Sequence, residues 1–364
     1  MIKVCHISSA HPPFDVRIFH KECISLVKAG YDVSLVVTHD KHETVQGVKM
    51  IPLPPTKGRI HRMVIKTHFA FYRALKTKSK IYHFHDPELM IAGILLKIMG
   101  KKVVFDSHEN VSSQIENKSW IGNKPVRLLV KNCYRLFEKF AILFYDTVVS
   151  VTPEIVDFLS PKKGVLVRNY PIISLIENQG SRTEEKEQTT LIYAGGLTKI
   201  RGIKEICEAV KLTEKNVELI LLGNWESEKF KNECLTNKNK VKYLGVLPLK
   251  EVYPMMKNAD LGMATLYPEK NHLNSLPIKA FEYMACNLPI LMSNLPYWVN
   301  TFEGCAMFVD PNSVEAIKEK IEWFVDHKES GKEMGRFGNA EVKRKYSWEE
   351  ESKELVNMYK SILK

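Results

Sequence analysis

The sequence lacks any apolar run long enough to cross a bilayer. Spanning takes about 20 predominantly apolar residues; the longest stretch, Leu89–Gly100, is shorter and carries Lys97. The start, Met1-Ile2-Lys3-Val4, lacks the charged-then-apolar layout of a secretory signal and reads as a first strand. A cytoplasmic protein is the resulting expectation. The seven cysteines are odd in number, scattered, and without any C-x-x-C pair. That excludes a disulfide framework and a structural zinc site, leaving reduced and mostly buried thiols. Acidic residues are missing from one region altogether. Between Thr44 and His85 there is no Asp or Glu, while Lys49, Lys57, Arg59, Arg62, Lys66, Arg73, Lys76, Lys78 and Lys80 all fall there. A field of one sign attracts polyanions, either nucleic acid or an anionic lipid surface.

What is present is an ordinary globular composition, 45% hydrophobic and 26% charged, in 364 residues with a net charge of +11. That length favours two domains. Short β-rich runs alternate with helical stretches almost throughout. Ile2–Ser8, Asp32–Val37, Ile81–His85, Lys102–Asp106, Thr147–Val151 and Val165–Arg168 read as strands, and Arg17–Gly30, Pro87–Gly100 and Val126–Phe144 as helices. The pattern breaks at Tyr170–Gln188, which reads as an interdomain linker or exposed loop. A second series follows, from strand Thr190–Ala194 to helices Ser313–His327, Gly331–Lys345 and Trp348–Leu363. The fold class expected is α/β, with two Rossmann-like doubly wound domains facing across a cleft that holds the ligand.

In the second series, Tyr193-Ala-Gly-Gly-Leu-Thr-Lys-Ile-Arg-Gly202 follows a strand. Paired glycines let backbone approach a ligand, and Lys199 and Arg201 stand just before a helix. Arginine forks onto phosphate oxygens. A plain turn fits the same residues. Further on, Asn274-Ser-Leu-Pro-Ile-Lys-Ala-Phe-Glu282 opens a helix, with Asn274 or Ser275 as its cap and Pro277 in its first turn. Free N–H groups at such an end suit a diphosphate. Lys279 and Glu282, three apart, share a face; the cation can meet phosphate and the carboxylate can accept ribose hydroxyls. An ordinary amphipathic helix with an ion pair has the same spacing.

In the first series, His83 and His85 lead into Asp86-Pro87, and the next strand ends in Asp106-Ser-His108-Glu109. Polar residues at strand carboxyl ends fall on the functional edge of such a sheet. His108 can face a substrate there, or be a satisfied interior histidine. These groups lack the fixed spacing of metal ligands, so no metal is expected. The first loop, Ser9 to Arg17, offers His11, Asp15 and Arg17 for polar contacts.

Taken together, "HPPFDVRIFHKE", "HFHDPE", "FDSHEN", "YAGGLTKIRG" and "NSLPIKAFEYMACNLPI" fall in the order and spacing of a known family. The whole chain resembles the family-4 retaining glycosyltransferases of the GT-B fold, in the branch associated with cell-surface polysaccharide assembly. "YSWEEESKELVNMY" resembles that family's last helix, which crosses back onto the N-terminal domain. The resemblance implies an acceptor-binding domain over residues 1–169, a nucleotide-sugar-binding domain over 170–345, and a returning helix over 346–364. It implies donor contacts from Gly195, Gly196, Arg201, Asn274, Ser275, Lys279 and Glu282. Catalytic roles fall to Arg201, at the diphosphate, and His108, beside the transferred sugar. His11, Asp15, Arg17, Asp86 and Glu109 are the acceptor-side candidates. Three positions depart from the family: Asn274 stands for a common Glu, Gly196 for a common Arg, and His11-Pro12-Pro13 for a frequent glycine pair.

The activity implied is transfer of a hexosyl or N-acetylhexosaminyl group from a nucleotide diphosphate donor to a lipid-linked or glycan acceptor in capsule or lipopolysaccharide assembly. The leaving diphosphate needs electrostatic stabilisation more than a pair of carboxylates, so no cofactor or metal is expected. The basic Thr44–His85 region, with Arg59–Lys80 as an amphipathic helix, is then a surface for an anionic membrane, and the protein a peripheral one on the inner face of the cell membrane. Nucleic acid is not the expected partner. A nucleotide-sugar epimerase of the same fold and a non-catalytic sugar-nucleotide-binding protein are the rival readings.

Overall fold

Val33–Val37 and Val103–Phe105 are buried along their whole length, as strands covered by helices on both faces must be. They belong to an eight-stranded sheet in the order β3-β4-β2-β1-β5-β6-β7-β8. The strands are β1 (Lys3–Ile7), β2 (Asp32–Thr38), β3 (Glu43–Val45), β4 (Val48–Leu53), β5 (Ile81–Phe84), β6 (Lys102–Ser107), β7 (Thr147–Ser150) and β8 (Gly164–Leu166). All neighbours pair in parallel except β3 with β4. The computed structural model describes residues 1–56, 58, 61–107, 111–117, 121–160, 162–180, 187–235 and 240–364.

The second sheet has six parallel strands in the order β11-β10-β9-β12-β13-β14. These are β9 (Thr189–Ala194), β10 (Val217–Leu222), β11 (Val241–Gly245), β12 (Leu261–Ala264), β13 (Ile290–Ser293) and β14 (Ala306–Val309). Renumbered from its own first strand, that order is 3-2-1-4-5-6, the doubly wound arrangement whose ligands bind at the strands' carboxyl ends. The chain divides into two compact units, Met1–Asn169 with Glu350–Lys364, and Tyr170–Glu349. The last helix, Trp348–Ser361, therefore supplies most of its length to the first unit.

One pair of strands was not expected, and two expectations need correction. The stretch Glu43–Leu53 forms a hairpin, β3–β4, in which Val48 and Met50 are buried and Lys49 between them is exposed. Residues at the start of the supposed linker are core: Tyr170, Ile173 and Ile176 pack with Phe281 and Tyr283, and Ile173–Glu177 is a helix. Burying three large side chains outweighs the polar character of the residues after them. Lys66, counted among the membrane-facing cations, is buried, and its Nζ donates to Thr38 Oγ1 and Thr56 Oγ1. Lys57 and Arg59 lie outside the described residues.

Candidate active site

In the second unit β9 runs into Gly195 and Gly196, and the chain then winds one short turn over Lys199–Arg201. Gly195 has φ +140°, and a Cβ there would lie 3.0 Å from Lys279 Nζ and 3.2 Å from Arg201 Nη1. Gly223, just beyond β10, packs so tightly that its Cβ would meet the Gly195 carbonyl oxygen at 1.8 Å. Glycine at both positions lets two strand ends and two cations converge.

Lys279 lies in the first turn of the helix Ile278–Ala285. Its Nζ is 3.4 Å from the centre of the Tyr193 ring, sealed from solvent and without a hydrogen-bond partner, although part of its stem remains exposed. Burial first, then the like charge of Arg201, holds this lysine well below its usual pKa, with Glu282 opposing. An ammonium so placed lacks an anion, and phosphate oxygens would supply both acceptor and charge. Tyr193 donates its hydroxyl to the Gly196 carbonyl at 3.1 Å. Glu282 accepts from the Tyr253 hydroxyl at 3.2 Å.

Asn274 and Ser275 sit differently from expectation. The helix N-cap is Pro277, with no side chain capping it. Asn274 ends a preceding short helix, Lys270–Leu273, and is exposed, and the Ser275 carbonyl accepts from Trp298 Nε1 at 2.7 Å.

In the first unit, Asp15 caps the helix that opens at Val16, accepting from the backbone N–H of Arg17 at 2.8 Å and of Ile18 at 2.9 Å. Burial raises its pKa, but the His11 hydrogen bond and these N–H groups overcome that and bring it down to about 2. His11 lies between two carboxylates, 3.5 Å from Asp15 and 3.6 Å from Asp86. Burial depresses the imidazole, yet the Asp15 hydrogen bond and the charge of Asp86 raise it overall. Asp86 is buried and ties down the first loop, accepting from Ser8 Oγ at 2.9 Å and Ser9 N–H at 2.6 Å. Arg17 departs from the expectation of an accessible contact. It is buried, its Nε and Nη2 fork Asp106 at 2.8 and 3.0 Å, and its Nη1 donates to the Val167 carbonyl at 3.2 Å. His108 and Glu109 lie outside the described residues.

His83 and His85 turn into the interior with His6 of β1. One set of tautomers satisfies a continuous chain. His83 Nδ1–H donates to Tyr359 Oη at 2.8 Å, and Tyr359 O–H to His6 Nε2 at 3.2 Å. His6 Nδ1–H then donates to His85 Nε2 at 2.9 Å, and His85 Nδ1–H to Asp106 Oδ2 at 3.1 Å. All three imidazoles are neutral in this chain. Burial, chiefly, holds His6 and His83 well below the usual histidine range, and raises the neighbouring Glu22 well above the carboxylate range. Among the described residues, His6, Glu22, His83 and His85 form the one set able to offer a cation four ligand atoms within 4.8 Å of one another. Their imidazole nitrogens are already largely spoken for by the chain.

Two family models match this chain, Glycosyltransferase Family 4 over residues 17–169 and Glycosyl transferases group 1 over residues 176–341. The chain belongs to the family-4 glycosyltransferases. Among curated relatives of this glycosyltransferase, the putative teichuronic acid biosynthesis glycosyltransferase TuaC of Bacillus subtilis is 21% identical over 88% of both chains. The O-antigen chain mannosyltransferase B of Escherichia coli is 26% identical over 46% of this chain and 45% of its own. The capsular polysaccharide biosynthesis glycosyltransferase CapM of Staphylococcus aureus is 26% identical over 47% and 46%. The chain thus aligns with less than half the length of the last two. Among solved structures, sucrose-phosphate synthase of Thermosynechococcus elongatus superposes with TM-score 0.77 at 14% identity, over 100% of this chain and 99% of the other. Anabaena HepE in complex with UDP-glucose superposes at 0.74 and 12%, over 99% and 100%. The fold is GT-B, built on two Rossmann-like domains.

Sequence reasoning missed Tyr193 and Tyr253, which lie against Lys279 and Glu282. Tyr193 carried a signal, since the last inward residue of a strand before a glycine pair necessarily lies beside the turn. Tyr253 carried none, because it reaches Glu282 from a separate helix, Leu249–Asn258.

Proposed function

We propose that this protein transfers a hexosyl or N-acetylhexosaminyl group, with retention of anomeric configuration, from a nucleotide diphosphate donor to a glycan or lipid-linked acceptor during cell-surface polysaccharide assembly. The observation that carries the reading is Lys279 Nζ, buried and without a partner beside Arg201 and the Gly195–Gly196 turn. A diphosphate supplies what that group lacks. The O-antigen, teichuronic acid and capsular assignments of the relatives support the polysaccharide setting.

In this reading the donor half holds the diphosphate with Arg201, Lys279 and the glycine turn, and the ribose with Glu282, while Asn274 and Ser275 border the sugar. As the glycosidic bond to the donor breaks, negative charge gathers on the leaving phosphate, and Arg201 and Lys279 stabilise it without a metal. His108 attends the transferred sugar. His11, Asp15, Asp86 and Glu109 serve the acceptor side, with Arg17 fixing their scaffold. The enzyme works as a peripheral protein on the inner face of the cell membrane, its basic Thr44–His85 region toward anionic lipid.

The test is a thermal-shift panel of UDP, GDP and ADP and their sugars, followed by turnover assays on whichever binds. One nucleotide class should raise the melting temperature, and Arg201→Ala should abolish the shift. Absence of any shift across the panel would remove the reading. Loss of turnover in chelator, restored by a divalent ion, would remove its metal-independent part.

A further inference from the structure

The helix Lys124–Ile142 of the first unit is inside out. An amphipathic helix on a soluble domain turns its apolar stripe to the core. Here the stripe facing inward is Arg127, Lys131, Tyr134 and Glu138, followed only at the end by Ala141 and Ile142. Each of those side chains has a local partner: Arg127 Nη1 donates to the Glu116 carbonyl, Lys131 pairs with the Glu116 carboxylate, and Tyr134 donates to Glu138 at 3.0 Å. Burial, above all, pushes Glu138, the one acid on this helix, up to about 7. The outward stripe is Leu129, Leu136, Phe140 and Leu143, with Leu136 74% and Leu143 71% exposed. Asn123 caps the helix through Val126 N–H, so the register of that stripe is fixed by the helix itself.

This helix does not stand alone. Thr67–Lys76, Met90–Ile98 and Lys124–Ile142 all pack on one face of the first sheet, around Phe84, Phe105, Ala74 and Ala141. Their outer sides continue the apolar surface through Phe69, Tyr72, Ile91 and Ile98. Exposed apolar area on this scale marks an interaction surface. The charge pattern says what it meets. Lys124, Arg135 and Lys139 are the exposed charges of the helix, with no exposed acid on it. Cations beside Leu and Phe suit the headgroup boundary of an anionic bilayer, where apolar side chains enter the acyl region and basic ones reach phosphate.

We propose that the outer face of these three helices, centred on Lys124–Ile142, is a membrane-docking surface for anionic lipid. The proposal rests on the membrane reading above and shifts the centre of the anchor from the basic Thr44–His85 stretch, which still contributes Thr67–Lys76, to Lys124–Ile142.

The experiment is flotation of the full-length protein with vesicles of roughly 30% phosphatidylglycerol in phosphatidylethanolamine, against pure phosphatidylcholine. Two variants are compared, Leu129→Ser/Leu136→Ser/Phe140→Ser and Arg73→Glu/Lys76→Glu/Lys80→Glu. None of the six side chains is buried, and an unchanged melting curve and nucleotide-induced shift report an intact fold. The wild type should float with the anionic vesicles, and the triple serine variant should lose at least about tenfold in partitioning. The basic-stretch variant should lose less than about threefold. Binding by the triple serine variant at wild-type level, with loss in the basic-stretch variant, overturns this proposal and leaves the earlier membrane reading standing. Failure of the wild type to float overturns both. A self-association in ultracentrifugation that the serine variant abolishes, without flotation, overturns it in favour of a second copy on this face.

Discussion

The two units share an architecture and almost a size, yet they treat apolar side chains in opposite ways. In the second unit, Ile203–Leu212 buries Ile203, Ile206, Cys207, Ala209 and Val210, and Val314–Asp326 buries Ile317, Ile321 and Phe324. In the first, a helix of 19 residues buries Glu138, Ala141 and Ile142. Of thirty exposed large apolar side chains among the described residues, seventeen lie on or beside three helices of the first unit, and nine in the whole of the second. The units also differ inside. The second keeps a lysine amine without a hydrogen-bond partner at its strand ends, whereas the first threads three imidazoles into one hydrogen-bond chain that ends on Asp106. One half is short of a ligand within its own site; the other is short of a cover over its outer face.

The largest effect that would sharpen this contrast is on chemistry. Arg201→Ala should lower kcat by about 10²–10³-fold, the scale of losing a donor aimed at developing charge, measured on the donor found by thermal shift. An effect confined to a rise in KM would mean that Arg201 binds the ground state and the transition state equally.

Next comes Lys279→Met. It removes a buried, unpartnered ammonium, so the ligand-free protein should melt about 2–4 °C higher while the nucleotide-induced shift shrinks. A variant that is both less stable and still nucleotide-responsive would mean the lysine is a structural group, and the contrast between the halves would fail.

The smallest effect lies in the first unit and in its pH dependence. His6 and His83 have folded pKa values below that of a free histidine. Below about pH 6.5 the unfolded chain takes up protons that the native one refuses, so stability falls as pH drops through that value. Glu22 has the opposite sign: its raised folded pKa means the native state holds a proton that the unfolded chain releases above about 4.5, a cost that grows with pH. Glu22→Gln should therefore melt about 2 °C above wild type at pH 8 and lose that advantage toward pH 5 in melting curves. An advantage that grew with acidity would show the carboxyl to be ionised in the fold.

Much of the scaffold was legible because parallel strands carry continuous apolar runs. Val33–Val37 and Val103–Phe105 needed no further context. The β3–β4 hairpin escaped because its alternation at Val48, Lys49 and Met50 covers too few residues to stand out. Tyr170–Glu177 was misread because the polar stretch after it masked Ile173 and Ile176. At the candidate site, glycines and cations at fixed offsets from a strand were readable, since local backbone geometry places them. The Tyr253–Glu282 pairing and the inward fork of Arg17 to Asp106 were not, because each joins elements far apart in sequence. The Lys124–Ile142 helix was found but its orientation was not: pattern rules assume that leucines point inward, and this helix breaks the assumption.

Tyr359 bonds to both His6 and His83, joining the last helix to the first and fifth strands. During synthesis, β1 leaves the ribosome long before its partner exists. The nascent N-terminal half must therefore wait, with two interior imidazoles unsealed, until the whole intervening Rossmann unit has been translated. Maturation of the half built first is timed by a helix made only after the second unit.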